Sequence, residues 1–600
     1  MSQPTQRQKM KAFLFRSTIA AATVLTGLLG TTACKDYLEI DPVAYSTTEV
    51  AFLDVAGATS AVIGAYDMLS GDTGYGTRLN LYYPYDSDEM QAIPGQAFNA
   101  GNLGIARYAA LPVNNEITNP FNNLYQGIER ANICIQQIPK MAVYTTGTAA
   151  DTAALHRLYG EALTLRAQYL FEAIRNWGDV PAPFIPAVDN PDLKLPNADR
   201  NATYDKLIAD LLEAEKLVPW RTAAGAANER ITKGAVKALR ARLAMYRGGY
   251  ALYGLEMKRQ PDYLDYYRIA RQECLDLMNK RGEHTLNPSF ENLWMTVNQL
   301  KFDPAHEIIF EVAEGASSAA SDSKLGYYNG PRQNAATTFG SSTGSIGALP
   351  TYFYAFDSLD LRRDITVTLY TVESNNQQRG VALTAATDGK FRRHWRTPAL
   401  AGTGNYLGYN WPLIRFADVL LMFAEADNEL NGPTAAALAA VQEVRDRGYG
   451  ANASKVAKLT LPGSKAAMFD LIANERFLEL GGEGIRKYDL IRWNLLSTKL
   501  AEAKTNLTAL KNGTGRYANV PLTEYYRVTN GAVQYARSFF RPAPATAPTG
   551  TTAVQWRAAI TDALIANLAS EYKPGAGKEL FPYPQGTIDT DPNVKQNAGY

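Results

Sequence analysis

Hydrophobic positions recur at helical spacing over both ends of the chain and lose that spacing in the middle. Over 121–138, Leu124, Ile128 and Ile135 share one broad face, and over 152–177, Leu158, Ala162, Leu165 and Tyr169 follow at steps of three or four. The same spacing predicts helices over 47–69, behind Ser46 as an N-cap candidate, and over 204–218, 232–250, 263–280, 413–430, 434–447, 465–480 and 495–511. Helices joined by short loops into antiparallel pairs cannot bury their apolar faces alone, so they are expected to stack as a solenoid-like array. No clean 34-residue repeat is legible. Between the flanks, 281–410 is poor in helical period and rich in Gly, Ser, Thr, Asn and Tyr, and only 306–312 (HEIIFEV) reads as a strand. The expected fold is mainly α, with a helical scaffold over about 46–280 and 409–511 and loop-rich insertions at 71–118, 281–408 and 512–575.

Composition narrows the class. With 46% hydrophobic and 20% charged residues in 600, most of the chain is globular rather than disordered or fibrous. The formal charge is +1, and without the first 33 residues it is 56 basic against 59 acidic; neither balance suggests a nucleic-acid binder. Three cysteines, Cys34, Cys134 and Cys274, cannot build a disulfide framework, and no zinc spacing is present.

The N-terminus carries the most specific local signal. Arg7, Lys9, Lys11 and Arg16, with no acid, lead into an apolar stretch over 17–30 that is too short to span a bilayer and ends Thr31-Thr32-Ala33-Cys34. Residues 1–33 resemble a lipoprotein signal peptide, with Cys34 as the lipidated residue and Thr31 standing where Leu is usual. Several acyl chains would anchor the chain stably. A cleaved secreted protein with an incidental Cys34 is the alternative. Lys35-Asp36 resembles the surface-export signal of Bacteroidetes lipoproteins. No later stretch reaches 18 uncharged apolar residues.

Candidate chemistry lies in the loops, where binding residues concentrate on a rigid frame. Tyrosines number 35 against 21 phenylalanines, which suits surfaces that are partly wet and partly stacked. A sugar offers an apolar CH face and a rim of hydroxyls, so it needs flat aromatic platforms beside carboxylate, amide or guanidinium groups. Residues 78–89 supply both: Arg78, Asn80, Tyr82, Tyr83, Tyr85, Asp86 and Asp88. Trp294 with Lys324, Tyr327, Tyr328, Asn329 and Arg332 forms a second set, and Trp395 with Arg392, Arg393 and His394 a third. Packing is the competing reading of each. Asp86, Asp88 and Glu89 lack calcium-loop spacing, so neither metal nor cofactor is expected. Catalysis has no support: there is no HExxH, GxSxG or P-loop, and Glu475, Glu479 and Glu483, at i, i+4 steps beside Arg476 and Arg486, read as ion-paired framework.

Five segments in order carry a resemblance. They are Asp36-Tyr37-Leu38-Glu39-Ile40-Asp41-Pro42; Leu124-Tyr125-Gln126-Gly127-Ile128-Glu129-Arg130-Ala131-Asn132; Gly160-Glu161-Ala162-Leu163-Thr164-Leu165-Arg166-Ala167-Gln168-Tyr169 running to Trp177-Gly178-Asp179-Val180-Pro181; Pro412-Leu413-Ile414-Arg415-Phe416-Ala417-Asp418 through Ile472-Ala473-Asn474-Glu475-Arg476 to Tyr488-Asp489-Leu490-Ile491-Arg492-Trp493; and Pro582-Tyr583-Pro584 with the terminal Asn593 to Tyr600. Together they resemble the SusD/RagB family of nutrient-binding outer-membrane lipoproteins across nearly all of residues 34–600. Phe477 departs from the pattern where a second Arg is common, Gly481-Gly482 where an aromatic is common, and Ala598 where Pro is common. The resemblance implies tetratricopeptide-like helix pairs forming a superhelical scaffold beside a loop-rich ligand-binding part. It also implies a glycan ligand, a SusC-like TonB-dependent transporter as partner, and a lipid-anchored place at the outer-membrane surface. The alternatives are a helical-repeat assembly protein or a peptide-binding member of the family and, more weakly, a divergent glycoside hydrolase.

Overall fold

The computed structural model describes residues 48–92, 100–225, 227–542, 544 and 546–600. The signal segment, Cys34, Asp36 to Pro42 and Ser46 lie outside the described residues.

Twelve helices are needed to place the site. They are α1 (Val55–Asp67), α2 (Asn115–Gln137), α3 (Ala149–Trp177), α4 (Arg200–Leu217), α5 (Lys233–Arg247), α6 (Tyr263–Met278), α7 (Phe290–Asn298), α8 (Phe416–Asn431), α9 (Ala435–Tyr449), α10 (Lys465–Glu479), α11 (Arg486–Arg492) and α12 (Leu496–Asn512). Capping side chains start several of them a turn before the hydrophobic period does. Asn114 accepts from the Glu116 N–H, Thr148 from Asp151 and Asp199 from Asn201, each satisfying an otherwise orphaned donor. The helix expected over 47–69 is divided, with a short turn at Thr48–Ala51 and Asp54 capping α1.

Helices adjacent in sequence pack on each other: α1 and α2 on α3, then α3 on α4, α4 on α5 and α5 on α6. The array continues from α6 directly to α8, and α8 carries α9 and α10. Everything between Met278 and Phe416 is therefore an excursion that leaves the stack and returns to the next place in it. The α2–α3 contact is close enough to demand glycine: a Cβ on Gly127 would lie 2.6 Å from the Tyr169 ring, which is fully buried.

The excursion holds α7 and short strands, more order than its composition implied. Counting along the chain, β1 is Met90–Ala92, β2 Ile308–Val312, β3 Ile346–Ala348, β4 Val367–Thr368, β5 Thr387–Asp388 and β6 Trp411–Arg415. An antiparallel sheet in the order β1-β3-β5-β4 joins residue 90 to the excursion, and β2 pairs antiparallel with β6. The second pairing corrects the helix expected over 413–430. Residues Trp411–Arg415 are extended because they pair with the HEIIFEV strand, and the helix begins at Phe416.

A buried ionic network locks the excursion to the second half of the array. Arg415 donates to Glu307 at 2.9 Å, to Glu479 at 2.6 Å and to Glu483 at 2.7 Å, while Arg362 reaches Glu475 and Glu479, Arg447 reaches Glu307 and Lys390 reaches Glu483. Burial alone would raise the Glu479 carboxyl, but Arg447, Arg415 and Arg362 hold it well below the usual carboxylate range. The two glycines at 481 and 482 also have a packing reason: a Cβ on Gly481 would overlap the Tyr352 hydroxyl, and the Tyr352 ring stands edge-on to Phe477 at 4.8 Å.

Candidate functional site

Two loops distant in sequence dock backbone to backbone. After α1 the chain turns at Gly71, whose φ of +74° and close approach to the Ala320 carbonyl admit no side chain. The Asp72 N–H donates to Ala319 O at 2.8 Å, the Lys324 N–H donates to Gly76 O at 2.9 Å, and the Gly71 N–H donates to Glu314 Oε2 at 3.0 Å.

This docking gathers side chains around Asp72. Its Oδ2 accepts from Lys324 Nζ at 2.6 Å and from the Tyr406 hydroxyl at 3.0 Å, and its Oδ1 accepts from Thr77 at 2.9 Å. Arg78 donates to the Asp72 carbonyl at 2.6 Å and to Glu116 at 2.7 Å. The Lys324 ammonium lies 5.1 Å from the Tyr406 ring centre, a cation–π contact. Burial opposes charge on Lys324, but its bond to Asp72 outweighs it and holds the ammonium above the ordinary lysine range. Tyr327 and Tyr406 are half-buried here.

Tyr406 also forms part of a cleft of about 420 Å³. Phe302, half exposed, and Leu300 stand on its apolar side; Glu229, Glu311, Glu314, Asp322 and Asn410 supply its polar side. Burial pushes the Glu311 carboxyl up to about 7 and the Glu314 carboxyl well above its ordinary value. Aromatic rings beside carboxylates and an amide in a cavity of this size suit a small polar ligand with an apolar face. A second cleft, about 580 Å³, lies against α2 and is lined mainly by apolar groups, among them Phe121, Tyr125, Pro181, Leu193 and Val594.

The structure brings Arg78, Tyr82, Lys324, Tyr327 and Tyr328 together and corrects the rest of the expected platform. Tyr82 and Tyr328 lie 6.3 Å apart and Tyr328 packs on Tyr327, but both Tyr82 and Tyr328 are buried, forming a second layer behind Tyr327. Tyr83 is fully buried, edge-on to Trp177 and Phe581, with its hydroxyl donating to Glu116 O. Tyr85 and Asn80 are buried too, the Asn80 carboxamide without a hydrogen-bond partner. Asp86 accepts backbone N–H groups from Ala92 and Ala569, and burial raises its carboxyl to about 6. Asp88 forms a bidentate pair with Arg486 at 2.7 and 2.9 Å. Trp294, 1% exposed, packs against Phe290 and Phe391 with the Lys390 ammonium 4.8 Å from its ring. Asn329 donates to Asp388 at 2.6 Å in the core. None of Tyr83, Tyr85, Trp294 or Asn329 has a face left for a ligand, because tertiary packing covers all four, although the Trp294 indole N–H and the Asn329 carboxamide oxygen are buried without a partner. Arg332 is exposed but lines a different cavity with Asn334 and Arg379. In the third set, Arg393 donates to the carbonyls of Phe339, Ser341, Leu400 and Gly404, which orders the loop leading to Tyr406.

Asp72, Phe302, Tyr406, Glu229, Glu311 and Glu314 were absent from the expected set. The Ser70-Gly71-Asp72-Thr73-Gly74 turn and the HEIIFEV strand carry two of them, Asp72 and Glu311, but local sequence has no mark that the two segments face each other.

Among the described residues no helix is long and apolar enough to cross a membrane, and no three acidic, histidine or cysteine side chains are grouped to hold a metal ion. Residues 361–600 match a family model described as the SusD family, and residues 59–245 match one described as starch-binding associating with outer membrane; together they cover more than half of the chain. The SusD-like protein P25 of Formosa agariphila is 24% identical over 507 residues, covering 77% of this chain and 88% of that protein. The crystal structure of a SusD homolog from Bacteroides thetaiotaomicron superposes with a TM-score of 0.75 at 20% identity, covering 92% of this chain and 98% of the other. A laminarin-binding SusD-like protein superposes with a TM-score of 0.63 at 21% identity, covering 91% and 100%.

Proposed function

This chain belongs to the SusD family, and from that premise we propose that it is a cell-surface lipoprotein that binds glycan without changing it chemically. Cys34 carries the lipid that holds it at the outer membrane. It captures oligosaccharide or polysaccharide and delivers it to a SusC-like TonB-dependent transporter. The observation that carries the reading is the Tyr406 cleft, where Phe302 and Tyr406 supply ring faces, Glu311, Glu314 and Asn410 supply polar groups, and Asp72 with Lys324 holds Tyr406 at the meeting of two docked loops. The fold shared with a laminarin-binding protein supports the ligand class. The acids that the sequence put forward as a carboxylate set, Glu475, Glu479 and Glu483, are locked to Arg362, Arg415 and Lys390 in the core.

Calorimetry and gel retardation across a panel of soluble polysaccharides and oligosaccharides test the reading, with Tyr406→Ala and Phe302→Ala beside the parent chain. Binding that both variants weaken at least tenfold, with unchanged melting, is the expected result. If no glycan binds while the protein still co-purifies with a transporter, the cargo is peptide or the role is assembly.

A further inference from the structure

Many buried acids of the helical array are neutralised by arginine. Glu307, Glu425, Glu475, Glu479, Glu483, Asp418 and Asp489 each face an arginine within 3 Å. The Tyr406 cleft, like the core around Asp86, Glu89 and Asp388, holds acids without such a partner, and here they gather around a cavity. Glu229, Glu311, Glu314 and Asp322 line it, and among the described residues none of the four has an ion-pair partner. The two cations on the same wall are committed to other groups: Arg396 donates to Leu407 O at 2.8 Å and Pro398 O at 2.5 Å, and Lys301 donates to Gln299 at 3.2 Å. The charges that act on Glu311 and Glu314 are those of other carboxylates, Glu229 and Asp303 on the first and Asp322 and Asp72 on the second.

Resting on the glycan reading of this cleft, we propose that its ligand is a carbohydrate bearing free amino groups, whose ammonium enters against Glu314 and Glu311 while its ring lies on Tyr406 and Phe302. The geometry sorts the four acids. Asp322 accepts from the backbone N–H groups of Ser317, Ser323 and Gly408, so it shapes the loop, and Glu229 accepts from Asn410 at 2.8 Å. Glu314 accepts from Gly71 through Oε2 alone, and its Oε1 is buried with no partner. Glu311 is 4% exposed and is hydrogen-bonded to Asn410, so Glu314 Oε1 is the acceptor left open. An unpaired buried acceptor carries a desolvation cost that any donor relieves, and a charged donor relieves it most where neighbouring carboxylates surround it. The acids spread around a cavity of about 420 Å³ instead of converging as a metal-binding group, so an organic ammonium fits where a metal ion does not. The two aromatic rings complete the match, because they accept both a sugar's CH face and a nearby ammonium.

Burial raises the Glu311 carboxyl to about 7, so at pH 6 it is largely protonated without a ligand; burial raises Glu314 too, and an arriving ammonium favours the ionised forms. Binding at pH 6 therefore releases protons.

The test is calorimetry on the full chain with a fully deacetylated glucosamine oligomer and its N-acetylated counterpart of the same length, in two buffers of different ionisation enthalpy at pH 6. The expected result is at least tenfold tighter binding of the amine, a buffer-dependent heat reporting proton release, and loss of most of the preference in Glu314→Gln and in Glu311→Gln. The wild-type buffer comparison stands even if either variant folds poorly. Equal or tighter binding of the N-acetylated oligomer at the same cleft overturns the inference and leaves the glycan reading intact. Failure of neutral and amino oligosaccharides alike, across the wider panel as well, overturns the glycan reading itself; capture of a lysine-rich peptide but no saccharide overturns both.

Discussion

The Lys324 ammonium donates to the Asp72 carboxylate at 2.6 Å, joining two side chains 252 positions apart. The pair is mostly buried, with 14% and 16% of its side-chain surface exposed, so water screens it less than an ordinary surface pair. It also positions Tyr406, whose hydroxyl shares the same carboxylate oxygen. Asp72→Ala releases both partners. Glycan affinity is expected to fall about tenfold, equivalent to about 1.4 kcal/mol, with melting lowered by only a few degrees. Parallel calorimetry and thermal unfolding check it, and unchanged affinity would remove Asp72 from the site.

Trp294 and Tyr406 separate packing from binding. Trp294→Ala empties a core position between Phe290 and Phe391 and should cost about 3–5 kcal/mol of stability. Tyr406→Ala removes a half-buried ring from a cleft and should cost little stability but most of the glycan affinity. Urea unfolding and calorimetry on both variants make the comparison; the reverse pattern would return Trp294 to the ligand surface.

Arg415 is the hub of the buried ionic network, touching Glu307, Glu479 and Glu483. Arg415→Met preserves bulk but leaves three acids short of a counter-charge. A loss of about 3–5 kcal/mol in unfolding free energy is expected. Because β6 and α10 meet through this residue, hydrogen exchange should rise first in 307–312 and 411–415.

Glu89 carries a pH signature. Burial, followed by Asp88, pushes its carboxyl up to about 8 against the opposing pull of Arg486, the Gly482 N–H and Lys390. An acid whose folded value lies above its unfolded value of about 4.3 binds its proton more tightly in the native state. Its contribution to stability is therefore complete below about pH 4.3 and is lost as pH rises to about 8. Glu89→Gln removes that dependence. Urea unfolding at pH 5 and pH 8 should show the parent chain losing more stability than the variant, by an amount on the order of a few kcal/mol; parallel losses would mean that Glu89 is not the group responsible.

Local pattern was sufficient for the helical frame. An apolar face recurring at three and four residues marked the helices, with Leu413 to Arg415 lost to strand pairing, and Asn114, Thr148 and Asp199 cap three of them through their own side chains. The HEIIFEV segment likewise carries its extended conformation in its β-branched and aromatic residues. The ordered motifs from Leu124 to Trp493 were enough to recognise the family.

What the sequence by itself determined was thus the array of helices, the place of the excursion and the kinship of the chain. Tertiary structure alone decided which tyrosines line a cleft and which are packed in the core. Tyrosine is stable in either setting, because its ring buries well and its hydroxyl needs only one partner; Tyr83 finds Glu116 O in the core, whereas Tyr406 finds Asp72 at the rim of a cleft. The cleft itself depends on loops near residues 72, 314 and 406 meeting in space. Contacts of that range are set by how the excursion folds back onto the array, and no stretch of local sequence encodes them.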